Sequence, residues 1–475
     1  MNTVKTITKN IGALTLMNIV SVALMLILTI SIARFLGDVI FGKYSFALAF
    51  TALFGVFIHL GLDILITRDI ARDKSKASKY LGNIAIIRAL SSIIIFILII
   101  IIINLMNYPS DTTTAVYIFG LYVIFTSFAD IFKATFRAFE RMEYLSMINI
   151  LERIIVVSLG LIVLFSGYGL VELALVFLFG GIFNILFSYL ICRKKFVKPK
   201  FEIDLNFWRQ SIKEAYPFLL SLTFVMIYFK IDTVMLSIMK GDAVVGWYNA
   251  SYTLIGGLGI ISASVLPALF PVMSRFFNNS KEALQAVYKN TFRYLFMIGF
   301  PIAVGTTLLA DRIILFIYGE LYIHSIIALQ ILIWAELFVF LNNTTGNVIN
   351  AINEQKTNLK IVSVGATLNI LLNLILIHYM SYVGAGIATV ITEAFVAMCG
   401  VCFIQGQLHT VPSLGLSKIL IASSVMAIFI KLVTFNLFVI VVISVCLYFV
   451  ILYLAKGITK EDITLFKEII FKRVG

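Results

Sequence analysis

Several ionisable residues stand inside long apolar runs: Arg88, Arg153, Lys230, Asp232, Glu336 and Glu393. A charge in hydrocarbon is costly, so such groups usually turn towards a protein interior or a water-filled space and mark function. Arginine presents a planar fork of donors that meets phosphate oxygens two at a time. Arg88 and Arg153, about 10 Å and about 14 Å in from the nearer face at 1.5 Å per helical residue, are thus candidate phosphate ligands. Lys230 joins them as a more mobile cation. Arg34 opens a polar turn and would join them if that mouth bound phosphate. The carboxylates Glu336 and Glu393, near the middle of their runs, and Asp232 suit a coupling cation. Plainer readings stand beside these. Glu152 with Arg153, or Lys230 with Asp232, would neutralise each other or reach the interface. Asp232 would organise the turn that follows it. Arg34 and Lys240 would cap helix carboxyl ends.

A polar run, Asn342-Asn343-Thr344-Thr345-Gly346-Asn347 with Asn350 beyond it, closes another apolar segment. Asn343, Asn347 and Asn350 fall on one helical stripe. Their amides offer both donors and acceptors, which suits sugar hydroxyls. The competing reading is hydrogen bonding between helices, a common use of amides in membranes, with Asn369 and Asn373 in the same network. Other chemistries find no support. His59, His324, His378 and His409 are scattered, and no glycine-rich nucleotide loop is present. Cys399-x-x-Cys402 lies in an apolar run with no second pair, so packing explains it better than redox or zinc chemistry. No catalytic residue, metal or cofactor is expected, and the chain reads as a non-enzyme.

The elements that must carry these residues follow from composition. The 475 residues are 61% hydrophobic and 13% charged, with a mean hydropathy of +1.04. Soluble domains carry about one quarter charged residues. The apolar blocks are about 20 residues long, enough for a helix to cross a bilayer, and backbone groups in lipid must be satisfied within the segment. The sequence predicts an all-α polytopic membrane protein of about fourteen spans. With the amino terminus inside, 29 of the 37 Lys and Arg residues fall on the inner side and five on the outer. That bias puts both termini in the cytoplasm of a plasma-membrane protein. The first run, 11–33, is too long for a signal peptide and reads as a retained helix. The net charge of +13 belongs to these inner loops and not to nucleic-acid binding.

Gly241-Asp242-x-x-x-Gly246-x-Tyr248 echoes Gly37-Asp38-x-x-x-Gly42-x-Tyr44, 204 residues earlier. Glu140 and Glu354, and Gly169 and Gly384, form further echoes. Two copies of six spans, related by an axis along the membrane normal, account for them. The predicted organisation is a first lobe over 1–192, a basic linker over 193–214 and a second lobe over 215–406. Two extra spans over 407–456 and an amphipathic tail over 457–475 complete it. Pro267, Pro271 and Pro301 are expected to kink their spans.

At these residues the chain resembles a known family. Ala33-Arg34-Phe35-Leu36-Gly37-Asp38 with Phe41-Gly42-Lys43-Tyr44, Gly61-Leu62-Asp63 with Arg68-Asp69-Ile70-Ala71, Ile231-Asp232 through Tyr252, and Leu266-Pro267-x-x-Phe270-Pro271 are similar to the signatures of lipid-linked oligosaccharide flippases. These belong to the multidrug/oligosaccharidyl-lipid/polysaccharide exporter superfamily. The resemblance implies two six-helix lobes around a central cavity opened alternately to each side. It also implies a polyprenyl (di)phosphate-linked glycan as cargo and a groove for the prenyl tail at spans 13 and 14. Implied partners are membrane lipids, that glycan and glycan polymerase or ligase machinery, with the transporter itself a monomer. A multidrug or cation antiporter of the same superfamily is the alternative. A membrane glycan polymerase or glycosyltransferase is a third reading, disfavoured by short outer loops.

Overall fold

The computed structural model describes residues 2–200, 202–412 and 415–458, and for 2–18, 263–264 and 267–268 the backbone alone. The amphipathic tail expected over 457–475 therefore lies, from 459 on, outside the described residues. The described residues form helices α1 (Asn2–His59), α2 (Leu62–Arg72), α3 (Ala77–Leu105), α4 (Ser110–Ala138), α5 (Met142–Phe165), α6 (Leu170–Lys195) and α7 (Leu205–Lys240). They continue as α8 (Asp242–Leu258), α9 (Ile260–Asn279), α10 (Lys281–Ile317), α11 (Ser325–Ala351), α12 (Gln355–Leu408), α13 (Leu416–Leu432) and α14 (Leu437–Leu454). Ten helices are long and apolar enough to cross a membrane. Two of these hold two crossings each, because α1 breaks at Gly37 and α12 at Ser381. The α8–α9 pair and the 17-residue α13 supply the remaining two. The protein is an all-α polytopic membrane protein, and its described residues offer fourteen helical segments for crossings.

The break points are not the prolines. Pro301 lies within the continuous helix α10, and Pro267 and Pro271 within α9. Gly37 (φ 78°, ψ 174°) and Gly241 (φ 88°, ψ 177°) share one backbone conformation, open in practice only to glycine. The duplication is thus written in the backbone. It recurs at the end of α4 and of α11, where Glu140 and Asn353 both take a positive φ. In each, the next amide bonds five residues back, Arg141 to Phe136 and Glu354 to Ile349. The structural counterpart of Glu140 is therefore Asn353, one position before the Glu354 that sequence matching picked.

By chain packing the molecule has two compact units, residues 1–257 with 362–385, and residues 258–361 with 386–475. In the first, the two repeat turns meet. A Cβ on Gly42 would sit on the carbonyl oxygen of Asp242, and a Cβ on Gly246 on that of Asp38. The contact is reciprocal, and Trp247 Nε1 reinforces it by donating to Asp38 Oδ2 at 2.8 Å. At the other end of α7, Ala215 and Phe218 press on Gly61. Helix α2 buries Leu62, Leu65, Ile66 and Ile70 on one face. In the second unit, α9, α10, α11, α13, α14 and the last part of α12 share a core around Tyr288, Phe292, Val348, Met426 and Tyr448.

Candidate functional site

Arg153 sits in mid-α5, next to Glu152. Adjacent helical residues point about 100° apart, and the two side chains part company. Glu152 turns inward, is 4% exposed, and accepts from Asn184 Nδ2 and from Tyr122 Oη at 3.3 Å. Arg153 turns towards α1, where Nη1 donates to the Met25 sulfur at 3.3 Å, its one hydrogen bond among the described residues. Thioether sulfur is a weak acceptor, so most of the guanidinium fork remains available. The half-buried arginine lines a cavity of about 250 Å³ with Ser21, Met25, Thr29, Thr253 and Gly256–Gly257. Two glycines, two threonines and a serine share the lining with Val22, Met25 and Leu26, so Arg153 stands at a small open cavity of mixed character. The pairing of Glu152 with Arg153 that adjacency suggested does not form.

Arg88 has the opposite fate. It is fully buried, with Nη2 on Asp63 Oδ1 at 2.8 Å, Nη1 on the Ser127 carbonyl at 2.7 Å and His59 against both partners. Asp63 is delivered by α2. Arg88, expected as a phosphate ligand, is committed in this structure to a buried ion pair.

Asp232 is 3% exposed. It accepts from Tyr248 Oη at 2.8 Å and from Asn373 Nδ2 at 2.9 Å, tying α7 to α8 and to the 362–385 part of α12. Asn373 also donates to Asn369 at 2.9 Å. The bond to Tyr248 spans the turn at Gly241, and the bond to Asn373 adds a tie to a third helix. Lys230 is half-buried. Arg34 is exposed one turn before Gly37, and Lys240 donates to the His378 carbonyl at 2.9 Å, capping a helix end.

In the second unit, Glu336 of α11 and Glu393 of α12 are 8% and 4% exposed, and Asn342 donates to the Glu393 carboxylate. The amide stripe is engaged in the protein. Asn343 donates to Ser262 Oγ at 3.0 Å, Asn347 to the Asn343 carbonyl at 2.8 Å, and Asn350 Oδ1 accepts from Asn358 at 3.3 Å. Helices α10, α13 and α14 enclose an apolar cavity of about 410 Å³, lined among others by Pro301, Gly305, Met426, Ser444 and Tyr448.

The profile of the family described as "Polysaccharide biosynthesis protein" matches residues 7–277. The chain belongs to that family. It belongs with it to the multidrug/oligosaccharidyl-lipid/polysaccharide exporter superfamily, and the MatE profile matches residues 217–375. The chain is 25% identical over 279 residues to an uncharacterised membrane protein of Methanocaldococcus jannaschii, covering 57% of this chain and 55% of that one. It is 22% identical over 317 residues to a protein of Haloferax volcanii described as a probable low-salt glycan biosynthesis flippase, covering 66% of each. The chain thus spans between half and two thirds of these two relatives. Its fold is similar to that of the lipid II flippase MurJ in an inward closed conformation, with a TM-score of 0.79, 17% identity and 95% and 99% of the chains covered.

Sequence reasoning missed one feature, an ionic seam between α2, α3 and the start of α7. Arg68 bonds Asp69 and Glu214, Lys79 bonds Asp204 at 2.6 Å, and Asn83 accepts from the Asp204 amide and from Trp208 Nε1. The segment 193–214 is correspondingly not one free linker, since α6 runs to Lys195, α7 begins at Leu205, and Lys198 and Lys200 bond Ser78 between them. Bonds from Lys79 hold the Asp204 carboxyl below its ordinary range, and bonds from Arg68 do the same for Glu214. The signal was present in the sequence, as the helical spacing of Leu62, Leu65, Ile66 and Ile70.

Proposed function

We propose that this protein is a flippase that moves a polyprenyl (di)phosphate-linked oligosaccharide from the cytoplasmic to the outer leaflet of the plasma membrane. It acts as a non-enzymatic monomer, opening alternately to the two sides with both termini cytoplasmic, and feeds cell-surface glycan assembly. The observation that carries this reading is Arg153, a half-buried guanidinium with a soft sulfur partner and a small open cavity in front of it. Such a fork is electrostatically suited to a phosphate or diphosphate. The apolar cavity between α10, α13 and α14 is chemically suited to part of a long isoprenoid tail. Lys230, Arg34, Asn343, Asn347 and Asn350 remain secondary candidates for headgroup and sugar contacts. Relatives named as a glycan biosynthesis flippase and as a putative O-antigen transporter of Escherichia coli support the same cargo class.

A second reading, a MATE-like antiporter for organic cations, is favoured by the MatE match and by the buried carboxylates Glu336 and Glu393. The deciding experiment is a leaflet-resolved assay of lipid-linked glycan in a deletion strain. Build-up on the cytoplasmic side, cleared by the wild-type gene and not by Arg153→Ala at equal membrane levels, is the expected result. An unchanged lipid-linked glycan distribution in the deletion strain rules out the flippase, and raised sensitivity to cationic drugs would then select the antiporter.

A further inference from the structure

A second cavity of the second unit, of about 340 Å³, lies between α10, α11 and α13, apart from the apolar cavity of about 410 Å³. The two draw on different faces of α13, Met426 and Ile430 for the larger, Ser424 and Lys431 for the smaller. Helix α10 packs against both α11 and α13, and Val304 and Leu308 of α10 line the gap between them together with Trp334 of α11. Trp334 stands edge-on to Phe300 with ring centroids 5.7 Å apart, and Gln330 Nε2 donates to the Thr307 carbonyl at 3.2 Å, which fixes the α10–α11 side. On the α13 side Ser424, Ile428 and Lys431 are exposed, so the cavity opens towards lipid.

Rim and depth differ in chemistry. Lys431 stands in the last turn of α13. Arg312 of α10 donates to the Phe435 carbonyl just beyond that turn at 3.2 Å, so α10 and α13 end side by side. Helix α11 starts from the same end, after the short turn over 318–324. Trp334, Thr307 and Ser424 lie about 12–15 Å from these helix ends at 1.5 Å per residue. A hydrocarbon core of about 30 Å gives each leaflet about 15 Å. The cavity thus has the depth of one leaflet, with a cation at headgroup level. Lys431 makes no ion pair among the described residues, and Asp311 and Glu320, the carboxylates nearest this end in sequence, do not bond it. A lysine at that level attracts anionic lipid, whereas a choline headgroup would set a second cation beside it. A polyprenyl chain is much longer than a leaflet is deep and would leave most of its length outside. We propose that this cavity is a binding site for a two-chain anionic glycerophospholipid, with the phosphate on Lys431 and one chain against Trp334. The site calls for no particular cargo and is independent of the flippase reading.

Trp334 is the probe, in the full chain with the other two tryptophans changed, Trp208→Phe and Trp247→Phe. The protein is reconstituted in mixed vesicles of phosphatidylglycerol and phosphatidylcholine, with first one lipid and then the other brominated in its acyl chains. Bromine quenches a tryptophan that it touches. Phosphatidylglycerol should win the place beside Trp334 about fivefold over phosphatidylcholine, the effect of one lysine near anionic headgroups. Lys431→Gln should bring that ratio to about one, and Lys431→Arg should keep it. Equal quenching by the two lipids, or an unchanged ratio in Lys431→Gln, overturns the proposal. Relief of the quenching by an equimolar amount of unbrominated polyprenyl phosphate also overturns it, because the occupant is then that carrier. Lys431 is exposed and unbridged, so Lys431→Gln should fold as wild type does. If the Phe substitutions unfold the chain, Lys431→Gln compared with wild type, all three tryptophans in place, reads the same loss of preference.

Discussion

Two arginines of similar depth illustrate how neighbours decide a side chain's role. Arg88 is fully buried and compensates the partly buried Asp63 carboxylate, and breaking a buried pair costs up to about 3–5 kcal/mol because one charge loses its partner. Arg88→Ala is therefore expected to lower thermal stability in detergent sharply, with Asp63→Asn reversing part of the loss in the double variant. Arg153→Ala strands nothing, so its melting temperature should stay within a degree or two of wild type while transport fails. Equal melting temperatures for both single variants would contradict this division of labour. The seam at the start of α7 carries a pH dependence of definite sign. Asp204 and Glu214 have lowered pKa values in the fold. Their contribution is complete above the ordinary carboxylate value of about 4 and fades as pH falls below it, through the lowered folded values. Trp208, bonded to Asn83, reports on it. In a chain whose other two tryptophans are Phe, Trp208 emission should shift on acidification, and Asp204→Asn with Glu214→Gln should show the shifted emission already at neutral pH.

Among the elements, the contact of α1 with α8 depends on having no side chain at Gly42 and Gly246. Each faces a carbonyl oxygen of the opposite repeat, and neither oxygen is free to move without its helix. Overpacking of this kind costs about 1–3 kcal/mol and sometimes more. Gly42→Ala and Gly246→Ala should each lower the melting temperature, and with both present the crossing should open. Gly406→Ala is the control. Nothing lies within 4 Å of its Cβ position in α12, and alanine is the better helix former by about 1 kcal/mol. It should leave stability unchanged or slightly raised. If Gly246→Ala behaved like Gly406→Ala, the crossing would not depend on close backbone approach.

For the molecule as a whole, the expected cargo combines a charged headgroup with a long apolar tail, chemistries that this chain provides at separate places. Filling the apolar cavity tests the tail. Ser444→Trp should leave the protein folded and Arg153 untouched, yet reduce clearance of lipid-linked glycan in the deletion strain severalfold. Full clearance by that variant would remove the cavity from the transport path.

From residue order alone came the helical class, the fourteen helical segments, the duplication and the family signatures. All of these depend on local periodicity, on the length of apolar runs and on the backbone demands of single glycines such as Gly37 and Gly241. What each buried charge does was decided only by the fold. Arg88 met Asp63 because α2 turned back against α3 and α4, and Glu152 turned from its neighbour Arg153 because a helix points adjacent side chains to different faces. Partners distant in sequence set the cost of a charge in a low-dielectric interior, and spacing along the chain does not report them.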